Sequence, residues 1–197
     1  MEKLFRGIAN PIVYHVRTLS VDCPECVVER DAEEGGWIRV LPCVKSLVIG
    51  KCAWPPNTFP LAPFRGLSST LKSLSVNYIM LPSPQLVYLI CSSPLLEDLT
   101  VAGRNGSSGD DNDPRRVPPG VPSTSPPLSG SLDLNIYKGI GSTVRQLLDL
   151  PNGLHFRKLT LSWDIKEDLW WITRLVRKCS HALEFLYVSH SSDGVFI

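Results

Sequence analysis

The sequence predicts an α/β fold: an arc of about seven parallel strands wound as a right-handed solenoid, with helices or extended segments on its convex side. Three observations carry this. A short motif, apolar-x-x-Leu-x-apolar, recurs along the chain. Its central leucines, Leu19, Leu47, Leu74, Leu99, Leu132, Leu159 and Leu186, are separated by steps of 28, 27, 25, 33, 27 and 27 residues. Between two of the clearest copies lies a Pro-bounded apolar segment with helical spacing.

The motif is easiest to read between Leu71 and Val101. It opens as Leu71-Lys-Ser-Leu74-Ser-Val76 and closes as Leu96-Glu-Asp-Leu99-Thr-Val101. Earlier copies are Val16-Arg-Thr-Leu19-Ser-Val21 and Val44-Lys-Ser-Leu47-Val-Ile49, and late ones are Phe156-Arg-Lys-Leu159-Thr-Leu161 and Leu183-Glu-Phe-Leu186-Tyr-Val188. A looser copy is Leu132-Asp-Leu134-Asn-Ile136. In a strand, alternate side chains share a face, so Leu19 and Val21 point one way and Ser20 the other. A single such unit cannot bury its apolar face, whereas a stack can. A period in the twenties with this pattern is the leucine-rich-repeat signature. Cys52, three residues after Ile49, occupies a position that the repeat often gives to cysteine.

The elements follow in order. Leu4, Phe5 and Ile8 share one face of a short leading helix, which Asn10-Pro11 is expected to end. Residues 22–43 are the least regular, with a turn at Cys23-Pro-Glu-Cys26, a short helix over 27–34 and a break at Gly35-Gly36. The prolines between Trp54 and Phe64 forbid a regular helix and predict an extended convex segment held by Phe59, Leu61 and Phe64. Ser83 and Pro84 suit a helix start, Leu86, Leu89 and Ile90 form its buried stripe, and Pro94 stops it. Residues 102–130, rich in Gly, Ser, Pro and Asp, lack the apolar surface to order themselves and read as a flexible insertion. The acidic cluster Asp110, Asp111 and Asp113 lacks the glycine and distal Glu of a calcium loop. Further on, Ser142 caps a helix carrying Val144, Leu147 and Leu148, which Pro151 ends. A second helix follows Asp164-Ile-Lys-Glu167, with Leu169, Ile172, Val176 and Cys179 at helical spacing and cations in its last turns.

Composition narrows the function. The chain has 197 residues, 43% of them hydrophobic, and a net charge of +1, so one elongated domain over 1–197 is expected and no bulk charge argues for nucleic acid or membrane. There is no apolar run long enough for a bilayer and no signal-peptide pattern, so a cytoplasmic or nuclear location is expected. Six cysteines in such a setting are free thiols or metal ligands. Cys23-x-x-Cys26 with Cys43 and Cys52 has the residue types of a zinc site, but the second pair is widely spaced and no thioredoxin pattern surrounds the first. His15, His155, His181 and His190 are scattered, without a catalytic motif, and His155 and His181 precede strands. The expectation is a protein that is not an enzyme and needs no cofactor or metal.

Columns of outward residues then define a candidate surface on the concave face. Two before each central leucine stand Arg17, Lys45, Lys72, Glu97, Arg157 and Glu184. One after it stand Ser20, Val48, Ser75, Thr100, Asp133, Thr160 and Tyr187. Neighbouring strands are about 4.8 Å apart, so column neighbours touch. Arg17, Lys45 and Lys72 form a basic stripe suited to an acidic or phosphorylated segment of another protein, with Tyr78, Trp163 and Tyr187 as aromatic anchors. The blander reading is a solvated face with a Lys72–Glu97 pair across strands.

The chain also resembles the leucine-rich-repeat region of F-box proteins, in the version abundant in mushroom-forming fungi. The residues that carry this are Val44-Lys-Ser-Leu47, Gly66-Leu-Ser-Ser-Thr-Leu71-Lys-Ser-Leu74, Pro94-Leu-Leu-Glu-Asp-Leu99, Pro127-Leu-Ser-Gly-Ser-Leu132-Asp-Leu134 and His155-Phe-Arg-Lys-Leu159-Thr-Leu161, over about residues 10–190. The resemblance implies a substrate-recognition subunit of a cullin–RING ubiquitin ligase, in which repeats hold the target and an F-box docks a Skp-type adaptor. Nothing before residue 16 offers the F-box, and the chain stops one strand into its last repeat. The expected organisation is therefore a repeat domain truncated at both ends, without the adaptor as a partner. Two other readings stay open: a zinc-binding or redox protein using Cys23 and Cys26, and a gene fragment without independent function.

Overall fold

A computed structural model describes residues 11–22, 41–50, 64, 67, 69–77, 89–104, 127–137, 140–150, 153–163 and 168–190. Seven strands form one open sheet: β1 (Thr18–Asp22), β2 (Ser46–Gly50), β3 (Ser73–Asn77), β4 (Asp98–Arg104), β5 (Leu128–Tyr137), β6 (Leu154–Trp163) and β7 (Phe185–His190). Their spatial order is their chain order, and every neighbouring pair is parallel. Two α-helices lie wholly within the described residues, α1 (Ile140–Leu148) and α2 (Asp168–Cys179).

The register puts the leucines in a single file. Leu19 stands opposite Leu47, and the pairing continues through Leu74, Leu99, Leu132, Leu159 and Leu186. A second file, two residues on, runs Val21, Ile49, Val76, Val101, Leu134, Leu161 and Val188. From β1 to β6 both files are buried. Each fully buried Leu, Ile or Val contributes about 1.5–3 kcal/mol relative to leaving it in water. In β7 the same positions fare differently: Leu186 is 44% and Val188 41% exposed, because no described element covers the outer flank of the sheet.

The helices close the same side. Val144 and Leu147 of α1 and Ile172, Leu175 and Cys179 of α2 are buried. The buried stripe of α2 is not the one expected from sequence, since Leu169 is 49% exposed and Val176 only partly covered. Trp171 explains the shift. It packs at Gly141 in the first turn of α1, where a Cβ would come within 2.6 Å of the indole. Trp171 therefore takes the inward place at the head of α2, and Leu169 turns to solvent.

Other expectations change as well. Pro11 begins a short 3-10 helix, Pro11–Tyr14, as its fixed φ allows, and the leading helix expected before it lies outside the described residues. Ser142 lies inside α1 rather than capping it. The stretch 102–130 is strand at both ends, because β4 runs to Arg104 and β5 starts at Leu128, while 105–126 lie outside the described residues. So do 1–10, the 27–34 helix, the Trp54–Pro63 segment and the helix start at Ser83, although Leu89–Cys91 are helical and buried.

The leucine file makes a test by truncation. Leu74→Ala should cost about 2–5 kcal/mol in urea unfolding, the range for emptying a packed core. Leu186→Ala, at the same motif position but in water, should cost less than about 1 kcal/mol. Equal losses at both would show that the file is not graded as described.

Candidate functional site

The candidate surface is the open face of the sheet together with the charged column at its edge. What fixes the column is the backbone before each strand. The Arg17 carbonyl accepts both the Lys45 and Ser46 N–H groups, at 2.8 and 3.0 Å. Lys45 does the same for Lys72 and Ser73, and Lys72 for Glu97 and Asp98. A carbonyl has two lone pairs, so one acceptor can hold two donors and leave no buried N–H unpaired. Arg17, Lys45, Lys72 and Glu97 are thereby stacked one above another.

The column changes at β5. Its next member is Gly130, at φ +90°, where a Cβ would sit 1.9 Å from the Glu97 carbonyl oxygen. Only glycine tolerates both that backbone and that approach. The Glu97 carbonyl holds the Ser131 N–H alone, at 2.7 Å. Between β5 and β6 the register shifts at Gly130/Ser131: Gly130 pairs with Phe156 and Ser131 with Lys158. Arg157 is thus the extra residue of a bulge. The column resumes when the Arg157 carbonyl accepts the Glu184 N–H at 2.8 Å.

The side chains follow their backbones. Lys72 Nζ lies 2.6 Å from Glu97 Oε1, and Arg157 Nη1 lies 3.9 Å from Glu184 Oε1. Both pairs are solvent-exposed, and pairs of that kind contribute about 0–1 kcal/mol. Arg17 donates from Nη1 to the Cys43 carbonyl at 3.3 Å. Lys45 is exposed, with no ion pair among the described residues. Of the three cations in the basic stripe, Lys72 is already paired with a carboxylate, and Arg17 and Lys45 have no carboxylate partner among the described residues.

The face beside the column is lined by small hydroxyl groups. Thr18, Ser46 and Ser73 stand in one row, and Ser20, Val48, Ser75, Thr100, Asp133, Thr160 and Tyr187 in the next. Ser131 Oγ donates to Asp98 Oδ1, and Ser162 and Ser189 hydroxyls are 2.6 Å apart across β6 and β7. Burial pushes the Asp133 carboxyl above its ordinary value. The sign follows: its ionised form costs stability, and that cost is relieved as pH falls through the raised value. Tyr187 is 54% exposed and stands at the end of its row. Trp163 closes β6 opposite His190 in register, its side chain lying outside what is described, as does the whole of Tyr78.

The cysteines divide. Cys23, Cys26 and Cys52 lie outside the described residues. Cys43 is half-buried, and Cys91 and Cys179 are buried. Burial raises the Cys91 thiol to about 11 and raises that of Cys179 as well, so both are poor nucleophiles and poor ligands at neutral pH. Among the described residues, no three His, Cys, Asp or Glu side chains converge on a metal position, and no helix is long and apolar enough to cross a membrane.

One contact escaped the sequence reading. His155, near the start of β6, and His181, in the turn before β7, have ring nitrogens 2.9 Å apart. The signal was the period itself: residues one repeat apart become neighbours, so two histidines 26 apart were candidates for contact. Comparison with known protein families, with curated proteins and with solved structures finds no match.

Gly130 is the position on which the column turns. Gly130→Ala should lower stability by about 1–3 kcal/mol in chemical unfolding, because it meets a backbone carbonyl at a positive φ. A neutral or stabilising result would mean that β5 does not approach β4 in this way.

Proposed function

We propose that the chain is a protein-interaction module without enzymatic activity, a right-handed leucine-rich-repeat arc whose concave face holds a segment of another protein. Right-handed crossovers are the general rule for parallel neighbours. The observation that carries the reading is the in-register leucine file, which frees the opposite face from core duty. That face carries exposed charges held on a paired backbone, beside short hydroxyl side chains that leave room for a main chain.

The segment is acidic or phosphorylated. Arg17 and Lys45 supply the uncompensated charge, Lys72 with Glu97 and Arg157 with Glu184 set the register of the partner, and Tyr187 offers an aromatic contact at the far end. Trp163 and Tyr78 complete the set named from sequence. The resemblance to F-box substrate receptors points to target recognition in ubiquitin transfer. The role proposed for these repeats is recognition of the target alone.

Fluorescence anisotropy with a labelled acidic phosphopeptide tests this. Binding should weaken with added salt, and Lys45→Glu should lower affinity about fivefold or more, as expected for roughly 1 kcal/mol of lost charge complementarity. A matched lysine-rich peptide binding as tightly, or Lys45→Glu without effect, would contradict the acidic-segment reading.

A further inference from the structure

We propose that His155 and His181 form a two-imidazole chelate for a divalent transition metal of the nickel(II) or copper(II) type. The proposal does not rest on the interaction reading above. His155 Nδ1 and His181 Nε2 are 2.9 Å apart, with rings edge-to-face at 86° and centroids 4.7 Å apart. Both residues are exposed, and among the described residues each imidazole has only the other as a hydrogen-bond partner. The contact is therefore not part of a buried network, and solvent reaches both nitrogens.

The distance puts both nitrogens within reach of one ion. With metal–nitrogen bonds of about 2.0–2.1 Å, two nitrogens at a right angle stand about 2.9 Å apart, and two at tetrahedral corners about 3.3 Å. The observed spacing is that of the hydrogen bond itself, and the preference for copper(II) and nickel(II) follows from the general order of divalent affinities at nitrogen ligands. Imidazole suits these metals, and water fills the remaining positions. In the hydrogen bond both rings point along the line between the nitrogens, so each must swing by roughly 45° to bring both lone pairs onto one point. The proton now lying between the rings moves to the donor ring's other nitrogen: Nε2 if His155 donates, Nδ1 if His181 donates. Two neutral imidazoles then bind with no net proton released.

The scaffold supports the pair. β6 and β7 are in register from Lys158–Phe185 to Trp163–His190, which fixes the chain segments bearing the two rings. Gly153, at φ +74°, lets the chain turn into β6; a Cβ there would lie 3.8 Å from His155 Nε2 and 4.0 Å from Lys178 Cε. Lys178 Cε and His155 Nε2 therefore flank the same space, at most about 8 Å apart, and a lysine charge so near opposes a cation. That, with only two protein ligands, makes the site a weak, exchangeable chelate rather than a structural centre.

Isothermal titration of untagged full-length protein with Ni²⁺, and separately with Zn²⁺, reads the site. One Ni²⁺ should bind per chain, more tightly than Zn²⁺. His155→Ala and His181→Ala should each weaken Ni²⁺ at least about tenfold, as expected for loss of one of two ligands, while His15→Ala should not. In the wild-type protein, paramagnetic Ni²⁺ should broaden the imidazole NMR signals of His155 and His181 ahead of those of His15 and His190, which needs no variant to fold. No stoichiometric Ni²⁺ binding, equal binding after either substitution, or broadening centred on another histidine would overturn the proposal.

Discussion

The constraint on which the molecule depends is register. Each strand must present its leucine and the apolar residue two positions on to the same side as its neighbours do. A slip of one residue would turn both into water and bring Ser20, Ser75 or Thr160 into the core. The doubly accepting carbonyls of Arg17, Lys45 and Lys72 enforce this alignment, because each fixes where the next strand begins. Hydrophobic burial supplies most of the favourable free energy, and the carbonyl ladder chooses among arrangements that would bury similar area.

The open face inherits its order from the same constraint. Charges on exposed side chains are usually poorly placed, since long side chains sample many rotamers. Here the backbones of the charged column are paired strand to strand, so Lys72 meets Glu97 and Arg157 reaches Glu184 without any contribution from the core. At β5, where Gly130 replaces a side-chain-bearing residue, the column is interrupted and a bulge restarts it one residue later. The result is a surface of two segments, basic and in part paired toward β1–β4 and mixed toward β6–β7.

The strands were legible in the sequence because their period is carried by leucine, whose burial leaves a pattern that does not depend on loop length. The Lys72–Glu97 pair was legible for the same reason, as both occupy one motif position. The buried stripe of α2 was not, because Leu169 and Ile172 satisfy helical spacing as well as Ile172 and Leu175 do, and only the packing of Trp171 at Gly141 decides between them. The start of α1 at Ile140 was hidden by a serine that looks like a cap. The contact of His155 with His181 leaves no local motif, because the two residues are 26 apart in the chain and meet only through the pairing of neighbouring strands. Tyr78, Cys23 and Cys26 lie outside the described residues.

The most direct test of the stacked register is the set of through-space contacts between leucine methyl groups in solution. With methyl-labelled leucine, NMR should show cross-peaks between Leu47 and Leu74, between Leu74 and Leu99, and between Leu132 and Leu159, together with amide contacts of parallel strands about 4.8 Å apart. Cross-peaks of an antiparallel pattern, or leucines of adjacent copies that show no contact, would contradict the single file on which the fold, the charged column and the histidine pair all rest.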